Sequence, residues 1–144
     1  MWTKVFAFVV VNVGLALGAA HAQECLHGSN ETAEQNARRR EALAAARTIN
    51  TIQANQPGAA SHQYLRHGEL SGSRYALSMR TAPPGAAISR LSLDPGTEIL
   101  PNWELKLDVS PTGYWLMIRD KADPCGFAFI SNQAGVIFSA EPIR

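Results

Sequence analysis

The sequence predicts an α+β domain in which one N-terminal helix packs on a C-terminal four-stranded antiparallel meander. Three observations predict it. Ala42, Ala45, Ala46, Ile49 and Ile52 recur at helical spacing, which draws a narrow apolar stripe along residues 29–55. Trp103, Leu105, Leu107 and Val109 alternate with Glu104, Lys106 and Asp108, as in a strand with one wet face. The apolar runs that follow are separated by short turn sequences, and connections this short favour antiparallel neighbours.

The helix carries its own start and stop signals. Ser29 or Asn30 is a good N-cap, and Thr32 with Gln35 offers a capping box instead. Glu31 and Glu34 fall in the first turn, where the helix dipole favours negative charge. Residues 41–47 (EALAAAR) have strong helix propensity, and Pro57-Gly58 ends the run. Residues 56–102 form an irregular middle. Within it Tyr64–Leu70 reads as a helical turn and Tyr75–Met79 as a short strand. Ala82-Pro83-Pro84-Gly85 and Asp94-Pro95-Gly96 read as turns. The meander occupies 103–140. After the first strand, Ser110-Pro111-Thr112-Gly113 turns into Tyr114–Ile118, which is apolar on both faces like an inner strand. Asp123-Pro124-Cys125-Gly126 then leads to Phe127–Ile130, and Asn132–Gly135 to Val136–Phe138.

The N-terminus predicts a compartment. Lys4 is followed by sixteen uncharged residues and by Ala20-His21-Ala22, the pattern of a secretory signal peptide cleaved after Ala22. A spanning helix needs about 20 apolar residues, so 1–22 reads as a cleavable leader and 23–144 as a single domain without a membrane span. Glu24 beside Cys25 argues against lipidation. Cys25 and Cys125, an even pair in an exported chain, read as a disulfide that places the mature protein in the periplasm or outside the cell.

Charge excludes one class of function. The 144 residues carry 13 Lys+Arg against 12 Asp+Glu, too balanced for a nucleic-acid binder, which needs a basic surface. Arg38-Arg39-Arg40 reads as a solvated helical face with Glu34 and Glu41 nearby for pairing. Asn30-Glu31-Thr32 matches a glycosylation acceptor, but capping suffices to explain it. No HExxH, nucleophile elbow, phosphate loop or dinucleotide fingerprint occurs, so no catalytic residue, metal or cofactor is nominated. His27 is expected in a surface loop. Glu98, Glu104 and Asp108 are expected on solvated surface rather than as a catalytic carboxylate pair.

Two stretches carry a resemblance. Ala46-Arg47-Thr48-Ile49-Asn50-Thr51 is similar to an RTIN stretch in the helix of some pilin-like proteins. Phe129–Ile137 is similar to their closing hairpin. With the helix-plus-meander layout, the chain resembles the globular head of type IV pilin-like and pseudopilin proteins. It departs from them in lacking the Gly-Phe processing site and the glutamate five residues into the hydrophobic helix. The resemblance therefore implies a head without the polymerising stalk.

The function expected is an exported, non-catalytic interaction or structural module with a protein partner in the cell envelope. Trp103, Trp115 and Met117 are its candidate contact residues if residues 56–102 leave one sheet face open. Two alternatives remain. One is a small secreted enzyme built on His62, His67 and a nearby acid. The other is a periplasmic small-ligand binder or inhibitor with an apolar pocket beside Trp103 or Trp115.

Overall fold

The computed structural model describes residues 25–61, 63–79 and 91–141. The expected leader, His62 and the expected turn at 82–85 lie outside them. The architecture is α+β: helix α1 (Ala33–Asn55), two short helices α2 (His67–Leu70) and α3 (Arg74–Met79), then strands β1 (Trp103–Ser110), β2 (Gly113–Asp120), β3 (Ala128–Asn132) and β4 (Ile137–Ala140). The four strands form one antiparallel sheet in the order β1-β2-β3-β4.

Helix α1 starts four residues later than its earliest candidate cap. Thr32 caps it: its Oγ1 accepts from Gln35 N at 3.2 Å, and Gln35 Oε1 accepts from Thr32 N at 2.7 Å. Ser29 and Asn30 stay in the preceding turn, because residues 25–31 are held by other contacts described below. Gln56 adopts an extended conformation ahead of Pro57, whose ring disfavours helical geometry in the preceding residue. The expected stripe of Ala42, Ala45, Ala46, Ile49 and Ile52 is buried throughout and packs against β3 and β2. Its small side chains let the helix backbone come close to the sheet.

The sheet's core face follows from its register. Trp103, Leu105, Tyr114, Leu116, Ile118, Phe129 and Ser131 alternate into the face that α1 covers, with Leu107 and Val109 half-buried at its rim. Asn50 fastens helix to sheet. Its Nδ2 donates to Ser131 Oγ at 2.8 Å and to Gly135 O at 3.3 Å, while its Oδ1 accepts from Tyr114 Oη at 3.0 Å. Ser131 Oγ in turn donates to Val136 O. Asn50 thus joins the two stretches that carry the pilin-like resemblance. Gly135 closes the turn between β3 and β4 with a positive φ of 74°, a conformation that glycine adopts without strain.

The middle segment differs from expectation in one place. Tyr75–Met79 belongs to α3 and not to a strand. Ser73 Oγ accepts from Ala76 N, and Leu77 N donates to Ser73 O, which nucleates a helical turn. As a strand the segment would have turned Tyr75 and Leu77 to one face, and both are exposed. As a helix it presents buried Ala76 and half-buried Met79 three positions apart. Buried Gln53 seats the connection onto α1, donating to Leu65 O at 2.7 Å and accepting from Leu65 N at 2.8 Å.

Cys25 and Cys125 are disulfide-bonded, with Cα atoms 5.3 Å apart. The bond ties the segment before α1 to the β2–β3 connection. Asp123 shapes that connection by accepting from Leu26 N, Cys125 N and Phe127 N. No helix among the described residues is long and apolar enough to cross a membrane.

Two stability outcomes follow. Phe129→Ala, in the core, lowers unfolding free energy by about 3–5 kcal/mol, whereas Trp115→Ala, on the opposite face, costs under about 1 kcal/mol. Urea denaturation measures both, and a Phe129 loss no larger than the Trp115 loss would contradict this assignment of faces. Replacing both cysteines by serine costs about 2–5 kcal/mol, read from the same transitions.

Candidate functional site

The sheet has a second face, which α1 does not cover. Register brings four side chains into one row across all strands: Lys106 opposite Met117, Met117 opposite Ile130, and Ile130 opposite Phe138. Three of the four are apolar. Phe138 is 60% exposed, Ile130 37% exposed and Met117 half-buried. The neighbouring row runs Asp108, Trp115, Asn132, and Trp115 is 42% exposed. Trp115, Ile130 and Phe138 are thus large apolar groups left exposed side by side on the face opposite α1.

Trp103 does not belong to that surface. It is 1% exposed and stands among His27, Phe127 and Phe129, with ring centroids 5.7, 6.3 and 6.4 Å away. The reason is strand parity. Trp103 pairs with Asp120 on the core side of the sheet, whereas Trp115 pairs with Asp108 on the other. Of the expected contact residues, Trp115 and Met117 share the open face and Trp103 is core.

His27 also departs from expectation. It is buried, and both ring nitrogens meet carboxylates: Nδ1 lies 2.7 Å from Glu31 Oε1 and Nε2 lies 2.9 Å from Asp120 Oδ2. Each ring nitrogen thus faces a carboxylate oxygen at hydrogen-bond distance, and the tautomer sets which nitrogen donates. Arg39 Nε donates to both Glu31 oxygens at 2.8 and 3.0 Å, and Asn36 Nδ2 donates to Oε2 at 3.0 Å. Arg38 comes within 3.6 Å of Asp120 Oδ2. The arginine run is therefore not simply a solvated face: two of its members reach into this cluster.

Glu31, ordinarily near 4.5, is held at about 2. Burial alone would raise it, but hydrogen bonds from Arg39, His27 and Asn36, together with the Arg39 charge, outweigh burial and favour the ionised form. Chemically the cluster is closed. The two acids lie on opposite sides of one ring, so neither nitrogen is open to a substrate and the carboxylates do not converge on a common point. Among the described residues no group of three or more His, Cys, Asp or Glu side chains is arranged to hold a metal. Sequence reasoning missed this cluster, although it left two traces. His27 and Glu31 are four positions apart, and Asp120 has the parity of the buried residues Leu116 and Ile118.

His67, the remaining half of the enzymatic alternative, sits at the start of α2 beside a cleft of about 240 Å³ that Glu98, Glu104 and Lys121 also line. Burial lowers the His67 pKa. Glu98 accepts from Lys121 Nζ and from Asn102 N, and these bonds pull its pKa down, while the Glu98 contact raises that of Lys121. Glu104 pairs with Arg119 at 2.8 Å. The acids of this cleft are thus engaged in exposed ion pairs rather than directed at the histidine.

The buried cluster predicts acid sensitivity. Because the folded-state pKa of Glu31 lies below its unfolded value, ionised Glu31 contributes stability at neutral pH that is lost as pH falls from about 4.5 toward 2. Glu31→Gln flattens that limb in urea midpoints measured against pH; an unchanged limb would contradict the assignment. His27→Ala removes the ring that both acids meet and costs about 3–5 kcal/mol, by the same measurement. No protein-family model matches this chain, and no curated protein or solved structure matches it either.

Proposed function

We propose that the chain is an exported, non-catalytic interaction module, similar in layout to a pilin head without its polymerising stalk, which acts in the periplasm or outside the cell by contact with a protein of the envelope. The observation that carries this reading is the apolar row Met117, Ile130 and Phe138 on the sheet face that the helix leaves open. The leader-like N-terminus and the disulfide between Cys25 and Cys125 support export, since such bonds persist in oxidising compartments. The closed geometry around His27 and the ion-paired acids beside His67 favour contact over chemistry.

The partner's complementary surface is apolar at its centre. A protein interface draws most of its affinity from a few desolvated apolar or aromatic anchors, and Phe138 with Ile130 fits that role. Chemical cross-linking in envelope extracts tests the reading. The wild-type chain yields a discrete adduct, Ile130→Glu with Phe138→Glu reduces it about tenfold or more, and Arg47→Ala on the exposed side of α1 leaves it unchanged. Absence of an adduct, or one indifferent to the double substitution, would overturn the proposal.

A further inference from the structure

Trp115 borders the apolar row, yet its surroundings differ from those of Met117. On one side of it in register stands Asp108, and on the other Asn132. Beyond them, at the β1–β2 hairpin, Ser110 and Thr112 add hydroxyls and Gln133 adds a second amide. Together these groups line a depression of about 350 Å³ against the indole. Small-molecule sites typically span about 300–1,000 Å³ and combine an apolar wall with a few placed polar groups.

Two features pre-arrange this depression. Asn132 Oδ1 accepts from Ala134 N at 3.0 Å, which fixes the amide and turns its NH2 group away from that bond. Gly113 lies beneath Gln133. A Cβ at position 113 would come within 2.7 Å of Gln133 Cδ and Oε1, so glycine is what allows the Gln133 side chain to lie against the strand. Rigid donors and acceptors cost a ligand little ordering entropy.

The chemistry of the lining selects among ligands. None of the lining residues is Lys, Arg or His, so an anion finds no counter-charge. A quaternary ammonium group would use one ring and one carboxylate and leave both amides without a role in binding, whereas the Ser110 hydroxyl already serves the hairpin, donating to Gly113 O at 3.1 Å. A pyranose would use the indole, the carboxylate and both amides. Its axial C–H face would lie on the indole, and its vicinal hydroxyls would donate to Asp108 and exchange hydrogen bonds with the Asn132 and Gln133 amides and the Thr112 hydroxyl. We propose that the hairpin end of the open face, centred on Trp115, is a binding site for a neutral pyranose unit of a glycan chain. The site is distinct from the Met117–Ile130–Phe138 row and goes beyond the protein-contact reading.

The test is a titration of the purified, disulfide-bonded chain with cellotetraose and, separately, with chitotetraose. The indole N–H resonances are followed by NMR. One open platform with a handful of hydrogen bonds gives a Kd on the order of 1 mM. The Trp115 indole signal shifts and saturates with at least one glycan while that of buried Trp103 stays in place. Trp115→Ala abolishes binding read by backbone amide shifts, and Asp108→Asn weakens it about fivefold. Phe138→Glu leaves it unchanged, so loss of protein contact and loss of glycan binding are read separately. No shift with either glycan at about tenfold above that Kd, binding that survives Trp115→Ala, or a saturable response to tetramethylammonium in place of both sugars would overturn the proposal.

Discussion

The close seating of α1 on the core face of the sheet is the constraint on which the rest depends. Alanines at 42, 45 and 46 bring the helix backbone down onto β3 and β2, and the two isoleucines at 49 and 52 fill the remaining depth. A helix with so few large side chains gains little burial energy per turn, because transfer free energy scales with apolar area. It therefore relies on fasteners at both halves. The disulfide and the His27 cluster hold the segment that leads into it, and Asn50 and Gln53 hold its later turns. This distribution accounts for the dense polar contacts in a domain whose helix is mostly small residues on its buried side.

Placing a histidine and two carboxylates in the interior is costly unless every polar atom finds a partner. Here most of the partners are local in sequence, and only His27 and Arg38 reach Asp120 from far along the chain. Glu31 receives Arg39 and Asn36 from α1, and Asp120 receives Ala122 N from the turn that follows β2. A helix shifted by one turn would separate His27 from Asp120 and strand a buried charge. The disulfide alone would tolerate more slack, since it constrains one point.

The strands and the helix stripe were legible because periodicity reports burial directly, and each buried stripe residue is buried for the spacing reason given by its position. The cap at Thr32 was legible as one of two options. The choice between them was not, because it was decided by contacts of residues 25–31 with Asp120 and Asp123, some ninety positions away. Tyr75–Met79 misled because a short, mostly apolar run of five residues fits either period, and Ser73 caps it as a helix. Trp103 and Trp115 looked equivalent in sequence. Only the pairing register separates them, and that register is set by the turn at 111–112.

That register also divides the sheet's labour. Along β2 the side chains at 114, 116 and 118 build the core, whereas those at 115 and 117 face outward; a one-residue slip would exchange the two sets. Because α1 and the segments around α2 bury one face, the fold makes little demand on the chemistry of the other beyond strand propensity. Polar residues would satisfy that demand at Ile130 and Phe138 as well as apolar ones do, and would keep the edge strand β4 safer from unwanted pairing. Their apolar character, and the clustering of amides and hydroxyls around Trp115 alone, are thus not consequences of folding. On the readings proposed above, they are the part of the sequence that answers to what the protein touches.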